Sequence, residues 1–143
     1  MRLGWTERWN PLRMYLLDSN VIIRVLRRDS PVTALLNRLA EAGDLSISVL
    51  TAFEVLSGMR PHEQAPTAAL LNSMEHIGVD NRIASLAAEF WQRYRRQGRE
   101  LGRFDALIAA TALVSDKTLV TFNVRDYPMP ELKVLGRGLH EIR

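Results

Sequence analysis

The sequence contains no cysteine, which excludes disulfides and thiolate metal sites and fits a reducing compartment. Its three histidines, His62, His76 and His140, lie too far apart in sequence to form a standard local zinc motif. No apolar run approaches the roughly 20 residues that cross a bilayer, and residues 1–13 lack the apolar centre of a signal peptide. We therefore expect a soluble cytoplasmic protein with neither zinc chemistry nor a membrane partner.

The composition is that of one globular domain. The chain has 143 residues, 47% of them hydrophobic, which is enough to bury a core without disulfides. A formal net charge of +3 permits an anionic partner such as nucleic acid but does not by itself indicate one. Residues 1–13 show no clear periodicity and contain Pro11, so we interpret them as an N-terminal extension, either a docking arm or a disordered tail. Residues 14–143 then form a single domain.

Short apolar strands alternate with helical patterns along this domain. A loop is expected between Pro61 and Pro66, and Ser19 or Asn20 is expected to cap the first helix. The alternation implies parallel strands joined by crossovers, hence an α/β fold, a three-layer α/β/α sandwich around a central, mainly parallel sheet. The strands are predicted at 16–17, 45–48, 77–79, 118–122 and 133–135, and the helices at 21–26, 30–43, 51–58, 68–76, 81–97 and 104–114.

Four polar residues fall at similar places in this layout. Asp18 ends the first strand, and Glu54 lies in the first turn of the helix after the second strand. Asp105 begins the buried helix, and Asn123 follows the fourth strand, with Asp126 three residues further on. Because strand ends and helix starts of a parallel sheet meet at one edge, we expect these groups to lie close together.

Carboxylates held this close together repel one another unless they take up protons or share a cation. A hard divalent ion such as Mg²⁺ accepts one or two carboxylates, keeps several waters and completes its shell with substrate phosphate. Such a site can activate water and stabilise both the attacking and the leaving oxygen of a phosphodiester. The pattern therefore indicates hydrolysis of a nucleic-acid backbone.

Each of these residues also has a structural explanation. Thr51 and Glu54 have the spacing of a capping box, and an aspartate at position 105 would be favoured by the helix dipole. Asn123 and Asp126 suit a turn. Asp18 is harder to explain in this way, because a charge at the end of an apolar strand is costly unless it is paired.

Four sequence blocks resemble the motifs of the PIN-domain family. They are LDSNVI at 17–22, SVLTAFEVLSG at 48–58, GRFDALIAATA at 102–112 and LVTFNVRDY at 119–127. Their order, their spacing and the chain length are most similar to the VapC toxins of bacterial and archaeal toxin–antitoxin pairs. The resemblance runs from Met14 to nearly the end of the chain. It departs slightly at Ser19, where threonine is commoner, and at Phe122, where a polar or basic residue is frequent.

The resemblance implies a function and a set of site residues. Asp18 and Asp105 would hold Mg²⁺ or Mn²⁺, Glu54 would complete the acidic cluster, and Asn123 would occupy the family's fourth catalytic position. It also implies endoribonuclease activity on structured RNA, a homodimer, and neutralisation by a small antitoxin protein.

An arginine-rich stretch is the second candidate binding feature. Arg99 and Arg103 precede Asp105, so we expect them to lie near the site and to bind RNA. The other arginines of this stretch, Arg93, Arg95 and Arg96, are explained as well by a solvated helix end with a favourable dipole interaction.

Three other functions compete with the toxin interpretation. A phosphotransferase with Asp18 as nucleophile would want a second aspartate at the position of Asn20, and a response-regulator receiver would need adjacent acids after its first strand. A PIN-like nuclease of RNA maturation or decay would work without an antitoxin. A non-catalytic RNA-binding module would bind RNA without Mg²⁺ and would not cleave it.

Overall fold

A five-stranded parallel sheet forms the centre of the molecule. The computed structural model describes residues 14–136, so the predicted N-terminal extension, residues 1–13, lies outside the described residues, as do residues 137–143. The strand order is β3-β2-β1-β4-β5, and every recorded pairing is parallel. The strands are β1 (Tyr15–Leu17), β2 (Leu45–Ser48), β3 (Glu75–Ile77), β4 (Thr118–Val120) and β5 (Val134–Leu135).

Six α-helices and two short 3₁₀ segments connect the strands in the described part of the chain. No helix within residues 14–136 is both long enough and apolar enough to cross a membrane. The α-helices are α1 (Ser19–Leu26), α2 (Ser30–Ala42), α3 (Val49–Gly58), α4 (Gln64–Asn72), α5 (Asn81–Arg96) and α6 (Arg103–Val114), and the 3₁₀ segments are Pro61–Glu63 and Val124–Asp126.

The helices cover both faces of the sheet and form two separate cores. Successive strand residues point to opposite faces, so Leu16 packs with α5 and α6 whereas Leu17 packs with α1, α2 and α3. In the same way, Leu119 joins the first core and Val120 joins the second. The predicted three-layer α/β/α sandwich with a parallel sheet is confirmed.

The connection order places a switch point beside β1. The chain proceeds from β1 through β2 to β3 on one side, then returns to add β4 and β5 on the other side of β1. Ligands of open α/β sheets bind in the crevice at the carboxyl ends of the strands, where the strand order reverses. Asp18 follows β1 at this place and is joined to β4 by a hydrogen bond from its backbone N–H to the Val120 carbonyl, 2.9 Å.

Two helix starts differ from the predictions. Asp18 itself caps α1 by accepting a hydrogen bond from the Ser19 N–H, so neither Ser19 nor Asn20 is the cap. Helix α3 begins at Val49, with Ser48 as its cap, and Glu54 therefore lies in the second turn. The predicted capping box of Thr51 and Glu54 is wrong, because Thr51 is inside the helix and fully buried.

The segment around Pro61 and Pro66 is helical where a loop was predicted. Pro61 begins a 3₁₀ turn, and Pro66 lies in the first turn of α4. Proline is tolerated there because the first N–H groups of a helix have no partner within it. Helix α4 also ends earlier than predicted, at Asn72 rather than near His76.

Two strands also have shorter or earlier bounds than the sequence indicated. Strand β3 begins at Glu75, two residues before the predicted start. The prediction missed these residues because they are exposed at the sheet edge and lack a strand-like apolar pattern. Strand β4 ends at Val120, and Thr121 and Phe122 just beyond it direct hydrogen-bonding groups to the start of α1.

Candidate active site

Asp18 is the most constrained side chain at the carboxyl edge of the sheet. Only 6% of its surface is exposed, and its Oδ1 accepts a hydrogen bond from the Ser19 N–H at 2.9 Å. Its Oδ2 accepts three more, from the Thr121 hydroxyl at 2.9 Å, the Tyr127 hydroxyl at 2.8 Å and the Asn20 amide at 3.3 Å. These donors come from both sides of the switch point, so the carboxylate has one fixed orientation.

Tyr127 links Asp18 to Asp105. Its hydroxyl donates to Asp18 Oδ2 and lies 3.3 Å from Asp105 Oδ1, and its side chain is fully buried. Burial, followed by the charges of the two aspartates, raises the pKa of Tyr127 well above its usual value, so the hydroxyl keeps its proton. Since a hydroxyl has a single proton, the two carboxylates compete for it, and Asp18 has the shorter contact.

Asp105 lies in the first turn of α6 and folds back towards Gly102, the helix cap. A Cβ atom at Gly102 would lie only 2.9 Å from Asp105 Oδ2, so the glycine leaves the space that this carboxylate occupies. Burial raises the pKa of Asp105 from 3.8 to about 6, and the neighbouring charges of Asp126 and Asp18 add to the effect. The hydrogen bond from Tyr127 opposes this shift only in part.

Glu54 faces the same cluster from α3. Burial raises the pKa of its carboxyl, a hydrogen bond with the Ser19 side chain lowers it, and the charge of Asp18 raises it again. The side chain is half-buried. The charge of Glu54 also contributes to the raised pKa of Asp105, so the three predicted acids share one electrostatic site.

Asn123 is placed at the rim of this site. Its side chain is exposed, and its backbone N–H donates to the Thr121 hydroxyl at 3.0 Å, the same hydroxyl that donates to Asp18. Asp126 has the larger electrostatic effect, because its charge is second only to burial among the causes that raise the pKa of Asp105. The catalytic role predicted for Asn123 stays a prediction.

Sequence reasoning missed the polar side chains that orient Asp18. Thr121 and Tyr127 lie more than 100 residues from Asp18 in the chain, so no local spacing connects them with it. Asn20 joins the two parts, since its amide also donates to the Thr121 hydroxyl and its carbonyl oxygen accepts from the Phe122 N–H. The available signal was their position inside the first and last of the four resembling blocks.

The carboxylate oxygens at this edge suit a hard divalent cation, although they do not form a complete coordination shell. Among residues 14–136, no three histidine, cysteine or carboxylate side chains converge closely enough to count as a preformed metal cluster. Mg²⁺ needs only one or two protein carboxylates, because waters and substrate phosphate complete its shell. Burial is the main cause of the raised pKa of Asp105, and the charges of Asp126 and Asp18 add to it; a bound cation would offset both effects, so the residues fit the ion.

Arg99 and Arg103 lie on the approach to α6. Arg99 donates to the Arg125 carbonyl at 3.0 Å, and the Arg103 guanidinium lies 5.4 Å from the centre of the Trp91 ring. Arg103 is in the same helical turn as Asp105. Arg93 is engaged differently, in a bidentate ion pair with Glu131 at 2.6 and 2.9 Å. RNA binding by Arg99 and Arg103 stays a prediction.

The fold and the site define a class of protein: a parallel α/β domain with an acidic site at its switch point. A PIN-domain family model matches residues 15–128, and the chain belongs to the PIN-domain family. This confirms the resemblance of the four blocks. The chain is also similar to Ribonuclease VapC10 of Mycobacterium tuberculosis, with 39% identity over 118 residues, which are 82% of this chain and 89% of that protein.

Two solved structures share the architecture. VapBC2 from Rickettsia felis, bound to a DNA fragment from its promoter, matches with a TM-score of 0.78 at 22% identity, over 87% of this chain and 98% of that chain. A likeness at that identity shows the fold alone. A toxin–antitoxin complex from Klebsiella pneumoniae matches with a TM-score of 0.71 at 26% identity, over 90% of this chain and 99% of that chain.

Replacement of Asp105 by asparagine should stabilise the metal-free protein at neutral pH. The pKa of Asp105 is raised in the folded state, so its contribution to stability is present below pH 3.8 and is lost as the pH rises through about 6. At pH 7.5 in EDTA we expect Asp105→Asn to raise the free energy of unfolding by about 1 kcal/mol, less than the full linkage value because solvent screens a half-exposed group. Urea denaturation at pH 4 and 7.5 measures the effect.

Asp116→Asn is the matched control for this experiment. Asp116 is exposed and has a φ of 54°, a conformation that asparagine also tolerates. The control should leave the pH dependence of stability as in the wild type. A destabilised Asp105→Asn protein at pH 7.5 would contradict the electrostatic interpretation.

Proposed function

We propose that this protein is a Mg²⁺-dependent endoribonuclease that hydrolyses structured RNA in the cytoplasm as the toxin of a toxin–antitoxin pair. The observation that carries the proposal is the pairing of Asp18 and Asp105 through one tyrosine hydroxyl, with Glu54 in the same electrostatic field. The relative named Ribonuclease VapC10, 39% identical, supports a ribonuclease over a non-catalytic RNA-binding module.

The two aspartates are the residues that would hold Mg²⁺ or Mn²⁺. Asp18 is oriented by four donors before any ion arrives, which lowers the cost of ordering the site. Asp105 accepts fewer hydrogen bonds and has the raised pKa, so it gains most from a neighbouring cation. When bound, the ion supplies an activated water and charge stabilisation at the phosphodiester oxygens.

Glu54 is suited to a proton-transfer role. A carboxylate whose pKa is raised towards the working pH is a stronger base than a solvated carboxylate. It therefore accepts a proton from an attacking water more readily. The Ser19 hydroxyl holds the Glu54 side chain on the side of Asp18. We assign Asn123 to the fourth position at the rim, where its exposed side chain can reach substrate, and Arg99 and Arg103 to the RNA backbone.

The predicted protein partners are an antitoxin and a second copy of the chain. The Klebsiella pneumoniae neighbour, at 26% identity, is a toxin–antitoxin complex, which favours an antitoxin for this chain over a housekeeping nuclease. For the homodimer, an exposed apolar surface beside the site is the surface to test. It is formed by Val49, Phe53 and Leu56 of α3 and by Phe104, whose ring lies 6.3 Å from that of Phe53.

Cleavage should depend on Asp18 and on a divalent ion. We expect the purified wild type to cleave structured RNA with Mg²⁺ and not with EDTA, as followed by gel electrophoresis. Asp18→Asn should reduce the cleavage rate by at least about 100-fold, because loss of a ligand exceeds the roughly 10–100-fold cost of losing a group that only orients one.

Asp116→Asn again serves as the control, since it removes one exposed carboxylate from the same chain. It should cleave like the wild type. Cleavage that persists in EDTA or in Asp18→Asn would falsify the assignment.

Gly102→Ala tests the site without removing any acid. The new Cβ would displace the Asp105 carboxylate, which is the free end of a flexible side chain, so the fold should lose no more than about 1 kcal/mol of stability. Because ligand misplacement by about 1 Å can cost about 100-fold, we expect a fall in cleavage rate of about 10- to 100-fold.

Gly78→Ala is the control, because a Cβ at Gly78 would contact nothing within 4 Å. Thermal unfolding of both variants separates a loss of fold from a loss of geometry. Wild-type cleavage by Gly102→Ala would show that the position of Asp105 does not matter for the reaction.

The toxin role requires a separate observation in cells. Induced expression of the wild type should arrest growth, Asp18→Asn should not, and a small protein encoded beside this chain should relieve the arrest. Growth rate measured after induction, with and without that neighbour, provides the test. Harmless expression of a protein that is active on RNA in vitro would favour the RNA maturation or decay alternative.

A further inference from the structure

Two pockets adjoin each other on the outer side of helices α5 and α6, and Trp91 lines both. The first encloses about 260 Å³ and is apolar, with Ala84 and Ala88 from α5, Leu107 from α6, and Arg103 at its rim. The second has a volume of about 300 Å³ and is basic on balance, with Arg95, Arg99 and one carboxylate, Glu100, among its lining residues. An apolar slot therefore lies directly beside a cationic one.

The arginines around Trp91 are available to an anion. The Arg95 guanidinium lies 5.0 Å and the Arg103 guanidinium 5.4 Å from the centre of the Trp91 ring, within the range of cation–π attraction. Within residues 14–136, neither of these arginines nor Arg99 forms an ion pair, whereas Arg93 is paired with Glu131. Stacking on the ring orders the guanidinium groups without consuming their charge.

This surface shares helix α6 and the neighbouring segment after β4 with the candidate active site. Arg103 is two residues before Asp105 on α6, and Arg99 donates to the Arg125 carbonyl, next to Asp126. A strand of RNA whose phosphate lies at the acidic cluster would therefore have its neighbouring nucleotides within reach of Trp91.

We propose that the two pockets bind one unpaired nucleotide of the RNA substrate, with its base in the alanine-lined pocket against Trp91 and its phosphates on Arg95, Arg99 and Arg103. The inference rests on the proposed function, and it names a binding site for that substrate. A pocket of 260 Å³ is smaller than the roughly 300–1,000 Å³ of drug-sized sites, which suits one base and not a stacked pair.

The charge of the surface favours RNA over a protein side chain as the occupant. An aliphatic side chain would fill the apolar pocket but would bring no negative charge to the three arginines beside it, which outnumber the one carboxylate there, Glu100. A nucleotide satisfies both pockets, because its base has an apolar face and its phosphates pair with guanidinium groups. Such a site would favour RNA with an unpaired position, since bases in a duplex are not open to stacking.

Ala88→Leu tests the proposal by filling the apolar pocket while keeping every charge. Ala88 is exposed at the pocket wall, and Ser85 is exposed on the same helix but does not line either pocket. Fluorescence anisotropy with a labelled single-stranded RNA oligonucleotide in EDTA measures binding without cleavage. We expect Ala88→Leu to weaken binding at least 5-fold and Ser85→Leu to leave it unchanged.

A second variant tests the phosphate contacts. Arg103→Gln should weaken RNA binding and reduce the slope of log affinity against log salt concentration by about 1, as expected for one lost phosphate contact. In Mg²⁺, Ala88→Leu should raise KM for RNA while kcat is retained, since the reacting groups are untouched.

Other outcomes overturn the proposal. Equal RNA affinity of the wild type, Ala88→Leu and Arg103→Gln would exclude the nucleotide site. Unchanged RNA binding together with loss of antitoxin binding or of self-association in Ala88→Leu would assign the pocket to a protein partner. Weaker RNA binding by Ala88→Leu in a protein that cleaves no RNA would support the pocket but refute the proposed function.

Discussion

The placement of three carboxylates close together and partly out of solvent is the constraint around which the site is built. Asp18 and Asp105 face the same tyrosine hydroxyl, which has only one proton to donate. Asp18 accepts the shorter hydrogen bond from it and has three further donors, whereas Asp105 has the longer contact and a pKa raised mainly by burial. The polypeptide therefore stabilises one carboxylate more than the other. A site with this asymmetry is ordered without an ion, and the proposed cation would stabilise it further.

The topology of the sheet allows this arrangement in a small chain, because it brings polar side chains from two parts of the sequence to Asp18. Because β1 is central, its carboxyl end lies between α1 on one side and the segment after β4 on the other. Asn20 belongs to α1 and Thr121 to the segment after β4, and their side chains form hydrogen bonds with each other as well as with Asp18. The polar groups that hold the carboxylate thus also join the two halves of the sheet, and the site and the fold share the same hydrogen bonds.

The sequence predicted the site residues that belong to a local pattern and missed those that have none. An apolar strand followed by Asp18, and a buried helix begun by Asp105, are local patterns, and the parallel topology converts them into one site. Tyr127 has no such signature, since it follows Arg125 and Asp126 in a turn-like segment and its hydroxyl partners are distant in the sequence. The loop predicted up to Pro66 was wrong for a related reason, because proline occurs both in loops and in the first turn of a helix. Strand β3 was misplaced because an edge strand can be polar.

Adjacency between the acidic site and the Trp91 surface resolves an electrostatic difficulty of the proposed reaction. A cluster of three carboxylates repels a polyanion, and a single divalent ion offsets only part of that charge. Arg99 and Arg103 supply positive charge from the residues that precede and begin α6, but their side chains contact a carbonyl and an aromatic ring instead of the acids. Had they paired directly with Asp105 they would have neutralised the cation site. The separation of anionic and cationic groups on neighbouring surfaces would therefore allow one small domain to bind both the proposed metal and the proposed substrate.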